Sequence, residues 1–382
     1  MKFDIAKKEL LQALKTVAPA VANRSSLPIL VEGVRLEAVA GRIALEATDL
    51  EFAIRLQVAA ETSDGHGRAV VPAKFFIKAV SSMPDGQVEV EFFDSDGRGE
   101  LVVCAGTKSV RLQTQAVEDW PEIGHGVDWH LVCEMDATCL SGALQRVIRC
   151  ASQDEARPVL TGVQFNLDDA NGVTEMVATD SYRLGVVTVA AQIKQKPDHP
   201  VIVPARVLKS LAKQLGKDAG TTRVYAGNAG KDGPQLIEFT LAGAGSYVIR
   251  QIEGEFPNWK QLVPETQGGE FEFDTAELKQ ITKDAAALRS QKNIPIRIEL
   301  GDDCRVQMME QQTATFAQSI GGVYSPNGTG PMVVAFNPEF LLDGIEFVAA
   351  EKAQMWVKDA SKPALLTSGS TDRYVLMPVR LP

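Results

Sequence analysis

Polar and apolar residues alternate along much of this chain, and helical stretches interrupt the alternation at intervals. Between positions 6 and 17 the apolar residues recur every three or four positions, which predicts one face of an amphipathic helix. Pro72 suits the first turn of a second helix, over 73–82. Alternation predicts half-buried strands in the same third of the chain, at 1–5, 31–36, 42–46, 51–58, 87–93, 100–104 and 109–115.

The same order of patterns returns twice more along the chain. Helices are predicted over 137–151, 205–215, 275–288 and 338–348. Strands are predicted at 161–167, 175–178, 184–190, 222–226, 236–241, 247–252, 295–300, 305–310, 354–357 and 374–381. Two helices with many antiparallel strands in each third are typical of an α+β fold, in which the sheets pack on the helix pair.

Short sequence markers recur at one nearly constant offset. Pro28, Pro158 and Pro295 stand in similar blocks that are 130 and 137 residues apart. Ala47-Thr48-Asp49 returns 131 residues later as Ala178-Thr179-Asp180. Independent markers with a shared offset predict repeated domains. We place three of them at 1–125, 126–255 and 256–382.

Composition restricts the function further. The 382 residues carry a net charge of −10, and their five cysteines have no paired spacing, which is typical of a reducing cytosol. The first residues predict a strand and a helix rather than a signal peptide, and no apolar run reaches the length of a membrane span. Proteins that bind nucleic acid over their whole surface are usually basic. Because this chain is acidic, binding of nucleic acid would require a local basic surface.

The predicted helices could provide such a surface, because five of the six are basic or balanced. Only the sixth is acidic, with Glu339, Asp343 and Glu346. These helix residues could instead be ordinary solvated charges. A basic lining would attract phosphate without reading bases. The candidates, with Arg24 and Arg157 beside two of the proline blocks, are Arg24, Lys7, Lys8, Lys15, Lys74, Lys78, Arg146, Arg149, Arg157, Arg206, Lys209, Lys213, Lys279 and Lys283.

The sequence matches no catalytic or metal-binding motif. The four histidines (His66, His125, His130 and His199) fall in predicted loops or linkers, and their spacing matches no zinc signature. The segment 227–231 lacks the spacing of a phosphate-binding loop and is interpreted as a hairpin turn. We therefore expect no metal, no cofactor and no enzyme activity. A binding or scaffolding role is favoured, and a hydrolase with a cryptic site is the alternative from another class.

Five segments carry a resemblance to a known family. They are the start 1–3 (MKF), the segments 24–30 (RSSLPIL) and 177–184 (VATDSYRL), the pair Phe256-Pro257, and the tail 374–381 (YVLMPVRL). With them the chain resembles the bacterial DNA polymerase III beta subunit, the replicative sliding clamp, along its whole length. The resemblance implies a non-catalytic, cytoplasmic, head-to-tail homodimer. Its six domains would form a ring around duplex DNA, held without sequence preference.

The resemblance also implies a pocket between the second and third domains. It would receive short motifs from the replicative polymerase, the clamp loader and repair proteins. Its walls would be Leu160, Thr179, Ser181, Tyr182, Arg183, Leu184, Pro257, Leu262, Asn337, Phe340, Pro363, Val375, Leu376, Met377, Pro378, Val379 and Arg380. Alternatively, Leu184, Val375 and Leu376 are plain core.

Two further expectations concern assembly and specialisation. The dimer should join the first domain of one copy to the third domain of the other, with Val110 and Leu112 against Ala287 and Leu288. A non-ring DNA-binding scaffold of the same domains is the alternative. The sequence departs from the family pattern at Gln261, Asn293 and Pro382, which leaves open whether this is a housekeeping clamp or a second copy.

Overall fold

The computed structural model describes most of the chain, and contacts divide it into two compact units. The first unit comprises Met1–Ser141, Ala191–Pro197 and Ser210–Gln251, and the second comprises Gly142–Ala190, Asp198–Lys209 and Ile252–Pro382. The described residues are 1–22, 32–64, 67–95, 98–115, 117–197, 199–216, 220–230, 233–241, 245–291, 294–310 and 314–380. The Arg24 candidate, the first proline block, Asn293 and Pro382 lie outside them.

The elements follow one order in each third of the chain. The first third has β1 (Lys2–Ala6), α1 (Lys7–Val17), β2 (Gly33–Val39), β3 (Arg42–Thr48), β4 (Phe52–Ala59), β5 (Glu61–Asp64), β6 (Arg68–Pro72), α2 (Ala73–Ser82), β7 (Gln87–Ser95), β8 (Arg98–Ala105) and β9 (Lys108–Gln113). The second has β10 (His130–Asp136), α3 (Ala137–Val147), β11 (Gly162–Asp168), β12 (Val173–Thr179), β13 (Arg183–Ala190), β14 (Gln192–Ile193), β15 (Val201–Pro204), α4 (Ala205–Leu215), β16 (Thr221–Asn228), β17 (Gln235–Leu241) and β18 (Gly245–Arg250). The third has β19 (Gly269–Asp274), α5 (Thr275–Ala287), β20 (Ile296–Leu300), β21 (Arg305–Glu310), β22 (Ala314–Ser319), β23 (Gly322–Ser325), β24 (Met332–Phe336), α6 (Pro338–Val348), β25 (Lys352–Val357), β26 (Ala364–Thr367) and β27 (Arg373–Leu376).

This order confirms the predicted α+β fold in three repeats. Each repeat begins with a strand that runs directly into a helix, and the junction residue caps the helix in two of the three cases. The Asp136 and Asp274 carboxylates accept from the backbone N–H groups of Cys139 and Glu277, each at 2.8 Å. Such caps satisfy N–H groups that have no partner within the helix.

The first unit holds two antiparallel sheets. One has five strands in the order β5-β1-β7-β8-β9, and the other has nine in the order β14-β10-β16-β17-β18-β4-β3-β2-β6. The larger sheet joins the first and second repeats through the antiparallel pair β18–β4. Helix α1 packs on α2 and buries Leu10, Leu14 and Val17.

The second unit holds the two remaining sheets. Its larger sheet has nine strands in the order β15-β11-β12-β13-β27-β26-β25-β19-β23, and its smaller sheet has four in the order β22-β21-β20-β24. The antiparallel pair β13–β27 joins the second and third repeats. The division into units therefore passes through the second repeat, because its strands contribute to two different sheets.

Three local predictions are wrong. The predicted helix over 137–151 ends at Val147 and continues as the 3₁₀ turn Ile148–Cys150, a common way for a helix to end. The last strand stops at Leu376 rather than reaching 381, because Pro378 has no N–H for a sheet ladder. His130 begins β10 instead of lying in a loop.

The repeated Ala-Thr-Asp marker is a turn that links two strands. In the first repeat the Thr48 hydroxyl donates to the Phe52 carbonyl at 2.8 Å and accepts from the Leu50 N–H at 3.0 Å. The Asp49 carboxylate accepts from the Phe52 N–H at 3.1 Å. Leu50 has φ +73°, a left-handed conformation that a side chain disfavours, so these bonds hold a strained turn.

We expect Thr48→Val to destabilise this turn. The valine has a similar shape but removes the hydroxyl that donates to the Phe52 carbonyl and accepts from the Leu50 N–H, which costs about 1–3 kcal/mol. Thermal unfolding should show a lower midpoint for Thr48→Val. Thr48→Ser, which keeps the hydroxyl, should lie closer to the wild type. Equal midpoints for the valine variant and the wild type would contradict this role.

Candidate functional site

The second copy of the turn presents the residues that the sequence placed in a pocket. The Thr179 hydroxyl donates to the Arg183 carbonyl at 2.7 Å and accepts from the Ser181 N–H at 3.2 Å. The Asp180 carboxylate accepts from the Tyr182 and Arg183 N–H groups, each at 2.9 Å. Ser181 has φ +78°, as Leu50 does in the first copy. The turn therefore directs Tyr182 outward, where 62% of it is exposed.

An apolar cluster lies beneath this turn. Leu184 on β13 and Val375 on β27 pair across the sheet and are buried with Trp259. Partly buried side chains at Phe256 and Val263 pack against them. Leu376 is fully buried on the same strand as Val375, so its side chain belongs to the core rather than to an accessible wall.

Exposed apolar side chains accompany this cluster. Leu262 and Met377 are 51% and 40% exposed, and the Met377 N–H donates to the Tyr182 carbonyl at 2.9 Å. The Tyr182 ring stacks on Phe340, with centroids 6.3 Å apart. Large apolar side chains left in solvent beside a buried apolar floor are typical of a site that anchors a partner. We call the turn, this floor and these exposed residues the apolar pocket.

The other predicted pocket residues have varied surroundings. Leu160 and Thr179 are buried. Asn337 is the N-cap of α6, with its side chain accepting from the Glu339 N–H at 2.9 Å. The Val379 N–H donates to the Ala335 carbonyl at 2.7 Å, which attaches the tail to β24. Pro257, Pro363 and Pro378 are half-buried, and Arg380 is exposed.

Sequence reasoning missed the aromatic part of the floor. Trp259, Phe256 and Trp356 pack in or against the buried cluster. Trp259 and Phe256 lie in the segment 253–267, whose Pro, Gly and acidic residues predict a linker rather than a packed floor. The signal that could have identified them is the aromatic content of a segment that should otherwise be polar.

Ion pairs hold one side of the apolar pocket. Asp343 on α6 accepts from Arg183 and, through its other oxygen, from Arg149 at 2.9 Å. Glu346 accepts from Arg149 at 2.5 Å and pairs with Lys279 at 2.8 Å. The Arg183 guanidinium also lies 4.4 Å from the centroid of the Phe340 ring. The second-repeat turn is therefore attached to the helix of the third repeat through charged groups.

A basic cleft of about 530 Å³ lies between α1 and α4 in the first unit. Lys8, Lys15 and Lys213 line it, and none of its lining residues is acidic. Within the described part of the chain, no carboxylate forms an ion pair with these three lysines. Three uncompensated positive charges in an acidic chain form a local site for anions.

The remaining basic candidates fall into two groups. One group is exposed on helix surfaces: Lys74, Lys78, Lys209 and Lys283, together with Arg206, which also has an interaction partner. The other group is already bonded. Lys7 donates to the Met83 carbonyl and to Asp85, Arg146 to Asp372 at 2.6 Å, and Arg157 to Ser181 at 3.0 Å, while Arg149 and Lys279 belong to the ion pairs above.

Two sheet edges carry the residues predicted for self-association. Strand β9, with Val110 and Leu112, is at the edge of the five-stranded sheet, and β22 is at the edge of the four-stranded sheet. Helix α5 contacts β22 and ends at the exposed Ala287, which is followed by the exposed Leu288. Among the described residues, no group of three or more potential ligands could hold a metal ion, and no helix is long and apolar enough to cross a membrane.

Family models match the three repeats in turn. The DNA polymerase III beta subunit N-terminal domain matches residues 1–124, the central domain matches 134–258, and the C-terminal domain matches 260–380. The chain belongs to the DNA polymerase III beta subunit family. It is therefore a sliding clamp, a non-catalytic processivity factor of DNA polymerase.

Relatives of this clamp match over its full length. The beta sliding clamp of Streptomyces coelicolor is 28% identical and that of Pseudomonas aeruginosa 27%, each with 100% of both chains covered. The crystal structure of the Pseudomonas aeruginosa subunit is 25% identical with a TM-score of 0.86 and full coverage of both chains. The C. crescentus clamp, at 23% identity and a TM-score of 0.89, covers 100% of this chain and 99% of its own and shows the same fold.

The Glu346 ion pairs predict a pH dependence. The hydrogen bond from Lys279 lowers the pKa of Glu346 below its ordinary value of 4.5, burial opposes this, and the charge of Arg149 adds to it. A carboxylate with a lowered folded pKa stabilises the protein above its unfolded pKa and loses that contribution as the pH falls through the folded value. Glu346→Gln should therefore unfold at a lower temperature than the wild type from pH 8 to pH 5. Below about 4.5 the difference should narrow, and a constant difference down to pH 3.5 would contradict the assignment.

Proposed function

We propose that this clamp acts as a head-to-tail homodimer that encircles duplex DNA, with the apolar pocket tethering the polymerase and other partners. The domains are those proposed from the sequence, at 1–125, 126–255 and 256–382. The cytoplasm is the proposed compartment. One observation carries the proposal: the five-stranded and four-stranded sheets each correspond to a different part of the nine-stranded sheets, and together they supply all nine strand positions.

The complete sheets define the rule. In both nine-stranded sheets the ninth strand of one repeat pairs with the fourth strand of the preceding repeat, as β18 pairs with β4 and β27 pairs with β13. The five-stranded sheet ends at β9, the ninth strand of the first repeat, and the four-stranded sheet ends at β22, the fourth strand of the third. Joined through β9 and β22, they would make a nine-stranded sheet with the same order.

Two copies are needed to complete these sheets under the rule. The repeat preceding the first is the third repeat of another copy, so each copy offers one β9 and one β22. Two head-to-tail contacts then close the assembly without leaving an open end. Apolar side chains support this contact, since Val110 and Leu112 lie on β9, and Phe75 on the neighbouring α2 is 59% exposed.

Leu288→Asp should convert the dimer to monomers. Leu288 is 50% exposed in the single chain, and an unpaired charge buried at an interface costs about 3–5 kcal/mol. Sedimentation should give about twice 41.3 kDa for the wild type and 41.3 kDa for the variant. Val323→Asp changes an exposed valine on β23 and should remain dimeric. A fully dimeric Leu288→Asp protein would place the interface elsewhere, and a monomeric wild type would favour the non-ring scaffold.

Duplex DNA is the proposed ligand of the basic cleft. Helix lysines without a carboxylate partner can contact phosphate weakly, and such contacts permit sliding because they read no bases. The bonded residues Arg146, Arg157 and Lys279 are weaker candidates than Lys8, Lys15 and Lys213, since each has another partner in the structure.

Changing Lys8, Lys15 and Lys213 together to Gln should weaken duplex binding equally for all sequences. If each lysine contacts one phosphate, the slope of log affinity against log salt should fall by about 2.7. A matched triple, Lys196, Lys358 and Lys362 to Gln, removes the same charge from other exposed positions and should change the slope less. Equal effects of the two triples would mean that only net charge matters.

Short peptides with leucine and aromatic anchors are the proposed ligands of the apolar pocket. Replicative polymerase, clamp loader and repair proteins would supply them. Leu184, Val375 and Trp259 provide an apolar floor, and each anchor buried there would contribute about 1.5–3 kcal/mol. The edge residues Tyr182 and Met377 are exposed enough to contact a ligand.

Met377→Asp should weaken the binding of a synthetic peptide with Gln, Leu and Phe anchors by at least about tenfold, because a carboxylate at an apolar contact loses its hydration. Met377→Leu, which keeps an apolar side chain, should bind within about twofold of the wild type. Calorimetry measures both affinities, and sedimentation should show both variants as dimers. Unchanged binding by Met377→Asp would place the peptide site elsewhere.

A further inference from the structure

Arg149 lies among the basic candidates for DNA contact, yet its guanidinium is bound by two carboxylates of α6. It donates to Asp343 at 2.9 Å and to Glu346 at 2.5 Å. Burial disfavours its charge, but the Asp343 hydrogen bond and the Glu346 charge outweigh this and raise the pKa of Arg149 above its ordinary value. A phosphate contact would have to compete with both carboxylates.

Asp343 connects Arg149 to the apolar pocket. One of its oxygens accepts from Arg149 and the other from Arg183. The Arg183 side chain is only 11% exposed and is held on its other side by Asp180, through Nε at 3.0 Å. A carboxylate bound through both oxygens has little freedom to rotate, so Arg149 fixes the position from which Asp343 holds Arg183.

Arg183 in turn contacts the aromatic edge of the apolar pocket. Its guanidinium lies 4.4 Å from the Phe340 ring centroid, close enough for a cation–π interaction. Phe340 stacks on Tyr182, and the Tyr374 hydroxyl donates to the Phe340 carbonyl at 2.7 Å. The backbone of Phe340 is thus fixed independently, and the charged groups act on the ring.

We propose that Arg149 is a positioning residue of the apolar pocket, which acts through Asp343 and Arg183 to hold the Phe340–Tyr182 stack, and that it is not a phosphate contact. This inference rests on the proposed peptide-binding function of the apolar pocket. A pre-positioned aromatic edge lowers the cost of ordering side chains when a peptide binds. Loss of Arg149 leaves Asp343 bonded through one oxygen only, so the Asp343 carboxylate can rotate and holds Arg183 less rigidly.

The test compares Arg149→Gln with two matched variants. Arg149→Gln should bind the synthetic peptide about three- to tenfold more weakly, and Arg149→Lys, which keeps the charge, should recover part of the loss. Arg223→Gln removes another surface arginine, one paired with Glu134 at 2.8 Å in the first unit, and should bind like the wild type. The salt slope for duplex binding should be unchanged in Arg149→Gln, whereas loss of a phosphate contact would reduce it by about 0.9.

A double-mutant cycle separates positioning from general destabilisation. In a Phe340→Leu background the effect of Arg149→Gln on peptide affinity should shrink to within about twofold, because the ring it positions is gone. Undiminished peptide affinity of Arg149→Gln, or an equal loss in both backgrounds, would overturn the inference while leaving the peptide site in place. Failure of the wild type to bind the peptide would instead overturn the proposed function, and this inference with it.

Discussion

Unpaired backbone groups along β9 and β22 are the constraint on which the proposed assembly depends. Open strand edges invite pairing with another chain, and proteins cover or disrupt them when no partner is intended. Strand β9 is the ninth strand of its repeat and β22 is the fourth strand of its repeat. Within the chain, a ninth strand already pairs with a fourth strand in both nine-stranded sheets. The repeated α+β domain therefore accounts for the two strand pairings within the chain, β18–β4 and β27–β13, and for the proposed β9–β22 pairing between copies.

Charge in this clamp serves two different purposes. The lysines of the basic cleft lack carboxylate partners in the described part of the chain, so their field is available to a polyanion despite the net charge of −10. Arg149, Arg183 and Lys279 instead form ion pairs with acids of α6. A basic residue on a clamp helix is therefore not sufficient to indicate DNA contact. Whether its charge is available to phosphate depends on whether a carboxylate already pairs with it.

Sequence patterns predicted the helices and most strands because those elements are amphipathic. The strands missed from sequence are β5, β6, β10, β14, β15, β19, β22, β23, β24 and β26. Two of them, β15 and β26, have apolar residues in succession, since both faces are buried and no alternation remains. The Ala-Thr-Asp marker was found from sequence, but its role as a strained turn required the structure. The bond between Arg149 and Asp343 joins residues 194 positions apart, and no local pattern predicts it.

Amide hydrogen exchange tests the central claim most directly. If β9 and β22 pair between copies, the outward N–H groups within Lys108–Gln113 and Ala314–Ser319 should exchange slowly in the wild-type protein and fast in the Leu288→Asp variant. The edge strands β6 and β15 should exchange equally in both proteins. Fast exchange of the β9 and β22 edges in a wild-type protein that sediments as a dimer would contradict the account, because its interface would then lie elsewhere.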